Sequence, residues 1–166
     1  MSEPTQSTTT RAERIIAGLG IDLPSGSAQP GLFRFLLATA VAVLGSLAAC
    51  AALVAVGTAV FPSTIGYEHF QFGDYAKLTI IGVVIAAFGW PVTTFVSSRA
   101  RKPYLVLATL VSIVALAPDA WLLYRGQSAQ AVLVLVAMHL ALAVITYSSL
   151  VFVAPQRRDG AVRQTA

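Results

Sequence analysis

Charge is scarce in this chain. Asp, Glu, Lys and Arg make up 11% of its 166 residues, whereas 57% are hydrophobic; a soluble domain is usually about a quarter charged. No polar segment is long enough to build a water-soluble domain, which leaves a membrane composition. Cysteine is nearly absent too. A single Cys50 excludes an internal disulfide and any cysteine metal cluster. "LAAC" at 47–50 has the look of a lipoprotein cleavage box, but the polar stretch before it is long for a signal peptide. The chain also stays apolar after it, through "AALVAVGTAVF", so Cys50 reads as a small residue inside a helix.

Four stretches, 33–60, 76–98, 104–124 and 128–153, are apolar over the roughly 20 residues that a helix needs to cross the hydrocarbon core. The expected fold is all-α, an integral membrane bundle of four transmembrane helices. A single domain spans 32–154, between an N-terminal tail at 1–31 and a basic C-terminal tail at 155–166. Within the first tail, "RAERIIAGLGIDL" suggests a short surface helix and "PSGSAQPG" a linker. Lys and Arg set the orientation. With the N-terminus inside, Arg11, Arg14, Arg34, Arg99, Arg101, Lys102, Arg157, Arg158 and Arg163 fall on the inner side, and only Lys77 and Arg125 fall outside. Both termini are therefore expected in the cytoplasm, at the plasma membrane. The net charge of +4 reflects this topology and anionic head groups; it gives no case for nucleic acid.

Small residues recur along the first span at alternating steps of four and three: Ala38, Ala42, Gly45, Ala49, Ala52, Val56 and Ala59. Gly82, Ala86, Gly89 and Thr93 repeat the device in the second. Small residues let backbones approach in lipid, where no hydrophobic drive joins helices, so these two stripes are expected to face each other. Pro91 removes a backbone donor inside the second span, so a kink near Phe88 is expected, with neighbouring helices or Thr93 and Thr94 covering the carbonyl it frees. Tyr67, Phe70, Phe72 and Tyr75 in the first outer loop suit the water–lipid interface. His69 and Glu68 are adjacent but too few for a metal site; no metal and no cofactor is implied.

Ionisable groups inside a span are costly and are functional-site candidates by default. Here they are Asp119 and His139, with Ser112 beside them. At about 1.5 Å per residue, Asp119 lies roughly 10 Å below the outer turn and His139 nearly twice as deep. A direct Asp119–His139 pair is then not expected unless a kink or a water joins them. Lys77 matches Asp119 in height, and an Asp119–Lys77 ion pair at the outer rim is the expectation, with Pro118 bending the third span. His139 is matched by Ser112, Thr109, Ser46 and Cys50. A neutral ring there needs one donor and one acceptor, which facing hydroxyls would supply; structural glue, a proton or ligand site, and a haem or metal ligand are the three roles open to it.

"VSIVALAPDAW" in the third span and "VAMHLALAVI" in the fourth, within four spans of about this total length, resemble actinobacterial four-helix integral membrane proteins classed as a domain of unknown function. The resemblance covers about 33–153 and implies the four-helix fold and the grouping of Ser112, Asp119 and His139. It carries no activity and no catalytic residue. The expected function is a non-enzymatic accessory or interaction subunit of a membrane complex, whose partners are the lipid bilayer and a membrane protein or further copies of itself. The alternative is a small homo-oligomeric transporter or ligand-binding membrane protein using His139 and Asp119. Catalysis would want a nucleophile and base, or carboxylates and a metal, within reach of each other; one histidine among hydroxyls is thin support for an enzyme.

Overall fold

A computed structural model describes Gly18 and residues 29–157. The surface helix expected near the N-terminus, and most of both tails, lie outside the described residues. Every regular element among the described residues is helical: α1 (Leu32–Val60), α2 (Phe72–Val96), α3 (Arg101–Ala115), α4 (Ala117–Tyr124) and α5 (Ala129–Val153), with 3-10 turns at Pro62–Thr64 and Glu68–Phe70. Four helices are long and apolar enough to cross a membrane, with α3 and α4 together forming the third. Two side-chain and backbone links show which ends meet. Gln29 Nε2 donates to the Pro91 carbonyl at 3.3 Å, and Gln156 Nε2 to the Ser97 carbonyl at 2.7 Å. Both ends of the described chain therefore sit beside the 97–100 turn, at what is called here the near end; the 61–71 loop and the 125–128 turn form the far end.

The spans do not pack evenly. α1 packs most extensively on α5, and the reason lies in the small residues of α1. Ala38, Ala42, Ser46, Cys50 and Gly57 are its buried positions. A Cβ on Gly45 would stand 3.2 Å from Ile145 Cγ2, and one on Gly57 only 2.6 Å from Val134 Cγ2. Close approach of this kind replaces the missing hydrophobic drive with dispersion contacts. Of the stripe expected to face the second span, Gly45 meets the fourth, while Ala38 packs with Ala87 and Trp90 of α2. Ala49 is half-buried on it, while Ala52, Val56 and Ala59 are exposed. Gly82 has open space around its α-carbon, and Gly89 lies against Leu107 and Tyr104 of α3. The third span is the outlier. Only 6% of its most apolar window is buried, against 33% for α2 and for α5.

Two clusters hold the ends. At the near end Ala38, Ala87, Trp90, Tyr104, Leu150 and Val151 form one core. Trp90 is fully buried and its Nε1 donates to the Ala154 carbonyl at 2.8 Å. Its ring meets Tyr104 edge-on, and Tyr104 stacks on Tyr147. Gln156 Oε1 accepts from the Ala100 N–H at 3.2 Å, so a single amide ties α5 to both ends of the 97–100 turn. At the far end Cys50, Phe70, Tyr75, Ala131, Leu135 and Met138 form the other core. Phe70 and Tyr75, expected at the interface, are instead 8% exposed each and plug the bundle; Phe72 alone of the aromatics beside them is openly exposed. Ser63 Oγ donates to Gln130 Oε1 at 2.6 Å, which pins the loop to the start of α5. Gly66 and Gly126, at φ +84° and +80°, occupy the left-handed region that glycine alone enters without strain, and each makes a turn at this end.

Pro91 leaves α2 unbroken. Thr93 Oγ1 donates to the Gly89 and Trp90 carbonyls and Thr94 Oγ1 to that of Pro91. None of these is the carbonyl one turn before Pro91, so the expected cover is not given by these hydroxyls. Thr94 Oγ1 and Pro91 O instead bind the Gln29 amide.

Candidate functional site: a cavity with a histidine–aspartate pair

Because α1 and α5 are drawn together and the third span is held only loosely, a space remains between α2 and the third span. It measures about 780 Å³, within the range of roughly 300–1,000 Å³ found for small-molecule sites. Apolar side chains make most of its wall: Ile85 and Val83 from α2, Leu107 and Val111 from α3, Met138 and Leu142 from α5. Tyr104 and Tyr147 close it toward the near end, and His69, Asp74 and Trp121 stand around its far mouth. Gly82, Ala86 and Gly89 line it as well. Gly82 has open space around it, while Gly89 meets Leu107 and Tyr104 of α3.

Asp119 and His139 meet in this cavity. The third span breaks at Leu116, between α3 and α4, and Pro118 is the second residue of α4, where its missing N–H removes a bond to the preceding turn. The break turns Asp119 inward; it is 3% exposed. His139 Nδ1 lies 2.8 Å from Asp119 Oδ2, the direct pairing that a straight-helix reckoning of depth argued against. The same nitrogen lies 3.1 Å from the Leu135 carbonyl. The distance to the carboxylate is that of a hydrogen bond, but the direction is not: the ring N–H is aimed at the carbonyl, and Oδ2 has no aligned donor. The Leu135 carbonyl aligns the ring, and the carboxylate stands beside it.

The other candidates separate from this pair. Lys77 is bound to Asp74 one turn earlier at 3.3 Å and is largely exposed, so the expected Asp119–Lys77 pair is absent. Ser112 lines the cavity but its hydroxyl donates back to the Ala108 carbonyl at 2.7 Å, and Thr109 does the same to Leu105. Neither reaches the imidazole, because a hydroxyl one turn from a helix carbonyl finds its acceptor locally. Cys50 Sγ stands 3.7 Å from Thr79 Oγ1, likewise away from the ring. Ser46 is fully buried on α1, and its oxygen has no hydrogen bond among the described residues.

One residue that depth reckoning passed over is Tyr67. Its hydroxyl is buried in the far-end loop with no hydrogen bond. Burial pushes the phenol up from its ordinary value, with Glu68 and then Asp119 adding to the effect. The only sequence cue to it was its place among loop aromatics. His69 Nε2 lies 3.5 Å from Glu68 Oε1, and no group of three or more His, Cys, Asp and Glu side chains able to hold a metal occurs among the described residues.

Comparison with known proteins returned nothing: no family model matches the chain, no curated protein does, and no solved structure does. What the site can do therefore rests on its own chemistry. An apolar chamber with one imidazole held by a buried carboxylate suits binding of an apolar molecule with a small polar head.

Proposed function

We propose that this is a multi-pass plasma-membrane protein that binds a lipophilic small molecule between its second and third spans. The cavity carries the reading, since it is large, mostly apolar and holds the Asp119–His139 pair in its wall. A ligand reaching it from lipid would part α2 from α3, whose span is the least buried of the four. Both termini are assigned to the cytoplasm, supported by nine of the eleven Lys and Arg falling at their end. Membership of the actinobacterial four-helix group is part of the proposal, and it brings no activity with it.

The transporter alternative uses the same cavity with a further step, release to the other side, and a homo-oligomer would place several cavities together. The accessory-subunit reading draws only on the outward apolar surface of α3 and α4, for which lipid contact is account enough. Native mass spectrometry of the full chain, released from its own membranes in lipid particles, tests the proposal. A retained small-molecule mass is expected, and it should be lost in an Ala86→Phe variant whose added ring fills the space between the spans. No retained mass, or one indifferent to Ala86→Phe, overturns the reading; a second polypeptide at fixed stoichiometry without a ligand replaces it by the accessory role.

A further inference from the structure

We infer that the molecule in this cavity carries a hydroxyl on its apolar body and donates a hydrogen bond from it to Nε2 of His139. The inference rests on the lipophile-binding reading and specifies the head group. Both atoms close to Nδ1 are acceptors, the Asp119 carboxylate and the Leu135 carbonyl. A lone pair on Nδ1 would face two oxygens and be repelled by both. With its proton on Nδ1, facing these two oxygens, the ring carries its lone pair on Nε2.

Nε2 points away from Asp119 and has no hydrogen-bond partner among the described residues, and the side chain is 34% exposed in the cavity wall. It is the reachable atom of the pair. Asp119, with its side chain 4% exposed, stands behind the ring and acts through it, as a positioning residue that fixes tautomer and orientation. Three hydroxyls of the chamber wall are already committed as donors: Ser112 to the Ala108 carbonyl, Tyr104 to that of Ala86 and Tyr147 to that of Arg101. Their remaining lone pairs, like that of Nε2, accept a hydrogen bond. A ketone, aldehyde or ether head would meet the Nε2 lone pair with a lone pair of its own; a hydroxyl completes the ring's second bond.

The test offers the full chain, in lipid particles, equal amounts of farnesol, farnesyl methyl ether and farnesal, and reads the bound masses in competition. These probes share one apolar body and differ in the head: a donor, a blocked donor and an acceptor. Farnesol is expected to be bound in preference by about tenfold, the worth of one buried hydrogen bond. His139→Gln, which keeps a polar side chain of similar reach, should bring the three close to parity. Asp119→Asn removes the charge that favours the proton on Nδ1. It should lower the preference for farnesol while leaving farnesyl methyl ether binding unchanged, and the imidazole ¹⁵N spectrum should show loss of the single tautomer. Equal binding of all three probes overturns the head-group assignment and leaves lipophile binding standing. A preference for farnesal overturns it as well, since the ring would then be the donor. Binding of none of the three, by a chain that also retains no native ligand, brings down both readings.

Discussion

Removing His139 should cost far more than removing Asp119, although they are partners in one contact. In a His139→Leu variant the carboxylate stays where the break at Leu116 puts it, 3% exposed and without the ring that stood 2.8 Å away. Breaking a buried pair in this way costs about 3–5 kcal/mol. A stranded carboxyl can escape by taking a proton, which at pH 7 costs about 4 kcal/mol for a group of ordinary affinity, so the loss is expected at about 3–4 kcal/mol. In Asp119→Leu the ring keeps its bond to Leu135, so the loss should be about 1 kcal/mol. The double variant should return close to wild type, because paired apolar side chains replace a buried polar pair at little cost. Unfolding in mixed micelles with rising sodium dodecyl sulfate, followed by far-UV circular dichroism, gives the three differences. The His139→Leu loss should also shrink in acid, by about 1.4 kcal/mol for each pH unit by which protonation becomes easier. Equal losses for the two single variants, or losses that simply add in the double, would refute the account.

Three further outcomes follow from the packing and the loop. Gly57→Ala should destabilise by about 1–3 kcal/mol by overpacking, since its Cβ would sit 2.6 Å from the stiff Val134 side chain, whereas Gly82→Ala, with open space around it, should stabilise by about 0.5–1 kcal/mol; the same unfolding titration compares them. Tyr67→Phe should be neutral or slightly stabilising, because the hydroxyl it removes makes no hydrogen bond. The folded phenol holds its proton above the ordinary value, so its contribution is flat below about pH 10 and is lost above it as the unfolded chain ionises first; Tyr67→Phe should lessen that alkaline decline in melting temperature. Lys77→Gln should change stability by less than about 0.5 kcal/mol, since its exposed pairing is with Asp74, and a loss of several kcal/mol would return it to Asp119.

Span number and rough limits were legible because lipid imposes a single, long-range demand on composition, and Leu32–Val60 and Ala129–Val153 differ from expectation by a residue. The second span starts four residues early, at Phe72, because Asp74 and Lys77 satisfy each other on the helix surface and do not end it. Partner choice was less legible. The small-residue stripe of α1 was visible, but alanine is so frequent there that sequence spacing does not say which neighbour it meets; Ile145 and Val134 on α5 decide it. Asp119 and His139 were singled out by cost alone, and their direct pairing was expected only if a kink or a water joined them. Counting 1.5 Å per residue assumes an unbroken helix, and the break at Leu116 is where that assumption fails. The cavity left no sequence signal at all, since Gly82 and Ala86 look the same whether they admit a helix or a ligand.

The placing of the firm contacts bears on how the site would work. The near end is tied by Trp90 to Ala154, by Gln156 across the 97–100 turn and by Gln29 to α2. The far end is plugged by Phe70 and Tyr75 and pinned by Ser63 to α5. Both sets join α2 or the loop to α1 and α5, while the third span, little of it buried, rests on α5 and α2 through Tyr104, Leu107, Leu122 and Asp119. A rigid pair of helices with a loosely held third wall is an arrangement in which a ligand needs to displace only one element to enter from lipid. On that argument the Asp119–His139 contact has two duties that pull in one direction. It fastens the loose wall at the depth of the cavity, and it presents the ring nitrogen to whatever enters. Loss of Asp119 should then widen the swing of the third span as well as disorder the tautomer. Spin labels on Leu110 and Leu140, both exposed side chains on facing spans, would read a broader distance distribution in Asp119→Leu than in the wild type. An unchanged distribution would leave Asp119 with the ring alone.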